Sequence, residues 1–170
     1  INGNGNLRFS LDIDGVVSTS PAIIDFNDEP LILFGTTTGQ VYAIDYNGNV
    51  MDNYPFSIES GVVGSIIFSD INHDGLIDAL APNNIGSVYA FNLTDTNLLP
   101  FFPLVTASGF SSAPSIVDID EDGDLEIVTG TTNSVSIIDY KNSASTNENL
   151  WFTYKGNYYR NSVYTSEFQC

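Results

Sequence analysis

Short apolar runs separated by turn-forming residues make up most of the chain. The runs PSIVDI, LEIVTG and VSIIDY, between residues 114 and 140, are rich in Ile and Val, and Gly, Asn, Thr and Asp lie between them. No segment of the sequence keeps a helical period of apolar residues for three turns. The pattern therefore predicts an all-β fold built from short strands.

Three stretches of the chain align with one another, and an aspartate marks the same place in each: Asp25, Asp70 and Asp118. These aspartates are 45 and then 48 residues apart. A period of roughly 40 to 50 residues is typical of propeller families, in which each repeat is one supersecondary unit. We therefore expect three structural repeats and a C-terminal tail, at about residues 14–58, 59–106, 107–155 and 156–170.

A fourth strand is expected near the end of each repeat. The candidates are YPFSI from Tyr54, FFPLV from Phe101 and LWFTY from Leu150. Four antiparallel strands form the blade of a β-propeller, and the radial arrangement of the blades protects their edges. The sequence thus predicts blades of a β-propeller, with a β-helix or solenoid as the alternative.

The first residues of the chain extend this pattern. The segment NLRFSLDI, Asn6–Ile13, lies where the fourth strand of a preceding blade would be. Three blades are fewer than the about four to eight blades of a usual ring. We therefore expect one propeller segment over residues 1–170 that is the C-terminal portion of a larger propeller, or whose open ends pair with another chain.

The charge composition limits the classes of partner. Of the 170 residues 42% are hydrophobic and 15% charged, which indicates a folded domain rather than disorder. The net charge is −17 with four basic residues, so no basic patch is available for nucleic acid or an anionic membrane. No apolar run approaches the ~20 residues that span a bilayer, so membrane insertion is not expected. Divalent cations are the natural counter-charge.

Two acidic segments, DINHDGLID at 70–78 and DIDEDGDLE at 118–126, share one pattern of oxygen-bearing residues. Asp, Asn or Glu occupies positions one, three, five and nine, and glycine at position six allows the chain to turn back. Crowded carboxylates repel one another, so the pattern favours a bound cation. With the main-chain carbonyl at position seven, the candidate ligands are Asp70, Asn72, Asp74, Leu76 and Asp78, and Asp118, Asp120, Asp122, Asp124 and Glu126.

Calcium is the expected ion, because it takes about six to eight oxygen ligands and alternate positions of a tight loop can direct their oxygens to one point. Magnesium is a weaker candidate, because it demands near-octahedral geometry and keeps several waters. Neither segment is an EF-hand, because position twelve, where that motif has a bidentate Glu, is Ala81 or Thr129. The alternative is that both segments are solvated acidic turns, since Asp, Asn and Gly are common turn formers.

The corresponding segment of the first repeat, DFNDEPLIL at 25–33, departs from this pattern. Pro30 replaces the turning glycine, and the last acidic position falls near Leu31. We expect no ion in this segment, and we expect Asp28 and Glu29 to be ordinary surface charges. The sequence thus predicts two calcium ions, not three.

No residue of the sequence indicates catalysis or an organic cofactor. His73 is the only histidine, and we expect it to be an exposed loop residue that points away from the metal ligands. The carboxylates of the acidic segments are committed to metal binding in this interpretation, so they are not available as a glycosidase pair.

The acidic segments and the strands before them, SAPSIVDID and GSIIFSDIN, resemble the FG-GAP or VCBS-type repeats of integrin α-like propellers. The resemblance implies that the calcium ions are mainly structural and that the protein is secreted or at the cell surface. It also implies adhesion, binding or structural assembly, with an extracellular protein, a glycan or neighbouring copies of the chain as partner. Some polysaccharide lyases are calcium-loaded propellers, so a secreted lyase or hydrolase acting on polysaccharide is the alternative.

Overall fold

The computed structural model describes residues 4–141, and within this range the chain forms strands and no helix. The all-β prediction is therefore confirmed, and nothing in the described range is a helix long and apolar enough to cross a membrane. In chain order the strands are β1 (Ala22–Phe26), β2 (Glu29–Gly35), β3 (Gln40–Asp45), β4 (Phe56–Ser57), β5 (Ile67–Ser69), β6 (Asp78–Pro82), β7 (Ser87–Asn92), β8 (Leu104–Val105), β9 (Ser115–Val117), β10 (Leu125–Gly130) and β11 (Val135–Tyr140).

The strands form three separate antiparallel sheets, and each sheet lies inside one of the expected repeat ranges. The first sheet has the order β1-β2-β3-β4, the second β5-β6-β7-β8, and the third β9-β10-β11. The predicted fourth strands YPFSI and FFPLV supply the short strands β4 and β8. The segment LWFTY, expected as the fourth strand of the third repeat, lies outside the described residues.

The second and third strands of all three sheets pair in the same register. In each sheet, one pair lies four residues before the last paired residue of the second strand. This pair allows the acidic segments of the repeats to be compared. These equivalent pairs are Leu31 with Asp45 in the first sheet, Asp78 with Asn92 in the second, and Glu126 with Asp139 in the third. The register thus identifies which residues of the repeats correspond in space.

Aromatic side chains join neighbouring sheets at equivalent places. The Tyr54 hydroxyl, just before β4, donates a hydrogen bond of 2.8 Å to the carbonyl oxygen of Leu93, just after β7. The ring of Phe102, just before β8, lies 5.5 Å from the ring of Tyr140 at the end of β11. The residues just before β4 and β8 therefore contact the end of the third strand of the following repeat or the residue after it, and one apolar core contains residues of all three sheets.

Glycines bring the hairpin tip of one repeat against the loop that enters the next. A Cβ on Gly61 would lie 2.8 Å from the carbonyl oxygen of Thr37, and a Cβ on Gly109 would overlap the carbonyl oxygen of Asn84. Backbone hydrogen bonds cross the same junctions, for example from Val62 N–H to the Thr36 carbonyl oxygen at 3.0 Å. The repeats are therefore held in a fixed relation by the backbone as well as by the core.

Residues 6–13, expected as the fourth strand of a preceding blade, are not part of any sheet in the described range. Phe9, Leu11 and Ile13 instead pack on side chains of β2 and β3, including Phe34. Val17 forms an isolated β-bridge with Thr36, and Val62 forms the equivalent bridge with Asn83. Phe9 lies eight residues before Val17. Tyr54 likewise lies eight residues before Val62. Residues 6–13 therefore have the position of a fourth strand, but in the described range no third strand pairs with them.

We expect Gly109→Ala to lower the free energy of unfolding by about 1–3 kcal/mol, because the added methyl group would overlap backbone that packs tightly. Gly130→Ala is the matched control. Its Cβ would meet only the Ser112 Oγ atom, at 3.5 Å, and its φ is not in the left-handed region. Urea unfolding of both variants gives the measurement, and equal losses would contradict the tight junction.

Candidate metal centre

The two acidic segments form loops of matching shape between the first and second strands of their sheets. The Asp70 carboxylate accepts a hydrogen bond of 2.9 Å from Gly75 N–H, and the Asp118 carboxylate accepts one of 3.1 Å from Gly123 N–H. Both glycines have positive φ, 82° and 96°, a conformation in which a side chain would be strained. The predicted turning role of the glycine at position six is therefore seen in both loops.

The ninth residue of each loop is a buried acid with the same hydrogen bond. Asp78 Oδ2 accepts the N–H of Ile71 at 3.0 Å, and Glu126 Oε2 accepts the N–H of Ile119 at 2.6 Å. The other oxygen of each carboxylate, Asp78 Oδ1 and Glu126 Oε1, is buried and has no hydrogen-bond partner. A buried carboxylate oxygen without a partner is costly, so a cation, a proton or a water at each of these oxygens would be stabilising.

The first sheet provides an internal comparison for this position. Leu31 has the register position of Asp78 and Glu126, and the three residues are 4%, 0% and 2% exposed. The fold therefore accepts an apolar side chain here and does not require an acid. Asp28, in the turn between β1 and β2, and Glu29, the first residue of β2, are both exposed, as expected of surface charges.

Three predicted ligands of the 118–126 loop converge. One carboxylate oxygen from each of Asp118, Asp120 and Glu126 lies within 4.8 Å of the others. A second buried oxygen in this group, Asp118 Oδ1, also lacks a hydrogen-bond partner. Within residues 4–141, Asp118, Asp120 and Glu126 are the group of three acidic, His or Cys side chains whose ligand atoms all lie within 4.8 Å of one another.

In the 70–78 loop the predicted ligands are turned toward the backbone of the loop. Both oxygens of Asp70 accept backbone N–H groups, those of Asp74 at 3.0 Å and Gly75 at 2.9 Å. Asp74 Oδ1 accepts the N–H of Leu76 at 2.8 Å, and Asp74 Oδ2 accepts a hydrogen bond of 2.9 Å from the Asn72 amide. The structure thus places Asp70, Asn72 and Asp74 in one compact turn, with the buried Asp78 beneath it.

The outer carboxylates of the 118–126 loop contact a lysine that sequence reasoning did not identify. Lys141 Nζ lies 2.6 Å from Asp122 Oδ2 and 3.5 Å from Asp124 Oδ2. It also lies 2.9 Å from Asp139 Oδ2 on β11. The predicted ligand set is therefore divided between three converging carboxylates and Asp122, which forms an ion pair.

The electrostatics of the buried acids also favour a cation. Burial raises the pKa of Asp78 to about 7; the Ile71 N–H opposes this shift, while Asp74 and Asp70 add to it. Burial likewise raises the pKa of Glu126, and the Ile119 N–H again opposes the shift. A raised pKa means that the negative form is disfavoured where it stands, and a positive ion nearby would reverse this.

His73 differs from the sequence expectation. It was expected to be exposed, but it is half-buried, and neither of its buried ring nitrogens has a hydrogen-bond partner. Its φ of 54° matches the φ of 60° at Glu121, the equivalent residue of the other loop. The backbone conformation at position four is thus shared, whereas the burial of the imidazole belongs to the 70–78 loop.

The donors in both loops are carboxylate, amide and main-chain oxygens, which are the ligands of a hard cation. Asp118, Asp120 and Glu126 fit such an ion directly, since their oxygens already converge and two of them lack partners. Asp78 Oδ1 is the corresponding unsatisfied atom of the 70–78 loop. The chemistry that these residues support is cation binding.

Comparisons with known proteins bear on the fold. The chain is similar to the V. cholerae biofilm matrix protein Bap1, with a TM-score of 0.53 and 17% identity over 79% of this chain. The match covers 25% of the Bap1 chain, so this chain spans about a quarter of its length. The computationally designed Ika4 protein matches with a TM-score of 0.38 and 13% identity, over 81% of this chain and 99% of that one. No protein-family model and no curated protein sequence matches the chain.

Replacing the buried acid by the residue of the first sheet tests the demand for a cation. We expect Asp78→Leu to leave the free energy of unfolding in chelator unchanged or to raise it by up to about 2 kcal/mol. The lost acceptor of the Ile71 N–H offsets part of the gain.

The matched control is Leu31→Asp, which buries a charge where the other ligands are missing and should cost about 3 kcal/mol or more. Chemical denaturation at neutral pH in EDTA measures both variants. A clear loss of stability in Asp78→Leu would show that the carboxylate stabilises the fold without a cation.

Proposed function

We propose that the chain is a calcium-stabilised β-propeller module that serves adhesion or structural assembly outside the cell. The observation that carries the proposal is the buried, unpartnered carboxylate oxygen of Asp78 and of Glu126. The two acids stand at one register position, and Leu31 stands there in the repeat that lacks the acidic pattern. The buried acid is therefore present in the two repeats that have the acidic loop pattern and absent from the repeat that lacks it.

Calcium is the cation that suits these donors best. A set of four side chains and one main-chain carbonyl per loop leaves room for water in a shell of about six to eight oxygens. The ligands are Asp70, Asn72, Asp74, the Leu76 carbonyl and Asp78 in one loop, and Asp118, Asp120, Asp122, the Asp124 carbonyl and Glu126 in the other.

The ions act on stability. A bound calcium ion supplies positive charge where carboxylates would otherwise repel one another. Because the oxygens of a loop converge only when the strands on both sides are in place, calcium binding and folding are linked. Asp118, at the start of the 118–126 loop, and Glu126 on β10 would be joined through the ion. The loop between the first and second strand of each blade is thereby braced.

The propeller arrangement is supported by the repeated junctions. Three sheets follow one another in chain order, and the aromatic residue just before the fourth strand of one repeat contacts the end of the third strand of the next, or the residue after it. Contacts of this kind between successive sheets are what successive blades of a propeller would require, so they support the proposal. The similarity of the acidic segments to FG-GAP or VCBS-type repeats supports the same arrangement.

The extracellular role is supported by the similarity to a biofilm matrix protein and by the charge of the chain. A net charge of −17 suits a module that works where millimolar calcium is available, because extracellular calcium modules bind in the range of about 10⁻⁴ to 10⁻³ M. The partners proposed are an extracellular protein, a glycan, or neighbouring copies of this chain.

Isothermal titration of the full chain with calcium is expected to show two bound ions, and the melting temperature should rise from chelator to calcium. Free calcium at a concentration of 100 times the Kd of a site adds about 2.7 kcal/mol to the free energy of unfolding. Asp28→Asn in the first repeat is the control and should leave both measurements unchanged. Coincident melting curves in calcium and in chelator would refute the calcium proposal.

The assembly role can be measured separately. Sedimentation velocity in calcium and binding to a glycan array, each with the calcium-loaded full chain, should reveal either self-association or a carbohydrate ligand. Turnover of acidic polysaccharides without either kind of binding would instead support an enzyme.

A further inference from the structure

We propose that Lys141 is a built-in counter-ion of the 118–126 loop, which stabilises the calcium-free loop and lowers its affinity for calcium. The inference rests on the proposed calcium site and adds a control on it. Within residues 4–141 the basic side chains are Arg8 and Lys141. Arg8 contacts Asn47 and the ring of Tyr46 on the first repeat, so Lys141 is the cation that reaches an acidic loop.

The register of the third sheet places Lys141 at the loop. Asp139 pairs with Glu126, and Lys141 follows two residues later at the end of β11. Its Nζ atom thereby reaches Asp122 at 2.6 Å, Asp139 at 2.9 Å and Asp124 at 3.5 Å. The hydrogen bond from Lys141 lowers the pKa of Asp122, and it raises that of the lysine.

The second sheet shows why the 118–126 loop needs this partner. There, Asp74 stands at position five, and its Oδ2 atom accepts a hydrogen bond from the Asn72 amide at position three. The third sheet has Asp120 at position three, and an ionised carboxylate only accepts hydrogen bonds. Asp122 Oδ2 receives its hydrogen bond from Lys141 instead. The same oxygen is thus satisfied from inside the loop in one repeat and from the third strand in the other.

The exchange of Asn72 for Asp120 also changes the charge of the site. The side-chain ligands of the 118–126 loop are four carboxylates, whereas those of the 70–78 loop are three carboxylates and an amide. The residue at the register position of Lys141 is Thr94, which is exposed and uncharged. The added negative charge among the candidate side-chain ligands and the positive charge of Lys141 therefore occur in the same repeat.

Calcium and Lys141 compete for Asp122. While no ion is bound, the ammonium group offsets the repulsion among the carboxylates. When calcium binds, the lysine remains as a positive charge close to the cation and shares a ligand with it. A unit charge near a divalent ion changes its affinity by roughly threefold to tenfold once water and salt screen the interaction. The two effects of Lys141 on the protein thus have opposite signs.

Opposite signs separate this role from that of an ordinary surface ion pair. If Lys141 only held the structure together, its removal would weaken both the calcium-free fold and calcium binding. Removal of a counter-ion weakens the calcium-free fold and strengthens calcium binding. The variant Lys141→Met keeps most of the aliphatic stem and removes the charge, so packing changes little.

The experiment uses the full chain with Asp78→Leu, so that the 70–78 site is removed and one calcium site remains. In this background Lys141→Met is expected to raise calcium affinity roughly threefold to tenfold in a competition titration with a chromophoric chelator. The melting temperature in EDTA should fall by about 2–4 °C. Lys141→Arg should restore both values.

A reciprocal variant tests the same idea in the other repeat. With Glu126→Leu removing the 118–126 site, Thr94→Lys should lower the calcium affinity of the 70–78 loop by a similar factor. Unchanged or weaker calcium binding in Lys141→Met, while the wild type binds two ions, would overturn the counter-ion role and leave the proposed function standing. A wild type that binds no calcium would overturn both.

Discussion

The burial of one carboxylate at the start of the second strand is the constraint on which the candidate metal centre depends. Asp78 and Glu126 stand where the strand register permits no solvent, and each has one oxygen bound to a backbone N–H and one without a partner. Their negative charge is unfavourable in this position unless a cation is near. The surrounding loop, with its oxygen ligands and its turning glycine, is consistent with our proposal that a cation is held there.

The repeated architecture supplies the same place three times and lets the chemistry differ. Register, hairpin tips and aromatic junctions recur from sheet to sheet, so the position of Leu31 is a direct comparison for the two acids. Packing between repeats includes the contacts of Tyr54 with Leu93 and of Phe102 with Tyr140, and none of these four residues lies in an acidic loop. The fold and the candidate site are therefore separable, because the first repeat lacks the acidic pattern and keeps its sheet.

Much of this could be predicted from the sequence, because strands and turn glycines leave local patterns. The spacing of Asp25, Asp70 and Asp118 gave the repeats, and the absence of the pattern in the first repeat pointed to Leu31 before any pairing was known. The contact of Lys141 could not be foreseen, because it depends on the pairing of β11 with β10 across 19 residues of chain. The burial of the His73 ring likewise depends on neighbours that a local pattern does not contain. The same holds for residues 6–13, which pair with no strand in the described range.

Lys141 links these observations, because a fourth carboxylate among the candidate side-chain ligands of the 118–126 loop has a structural cost that its neighbours in the loop cannot offset. Asn72 can donate a hydrogen bond to the loop aspartate beside it, and Asp120 in the ionised form cannot. A donor has to come from another strand, and the lysine after β11 is the group that the register brings there. A donor that carries full positive charge also opposes any cation that uses the same oxygen. A higher charge on the candidate ligands and an internal competitor for one of them therefore occur together in this repeat.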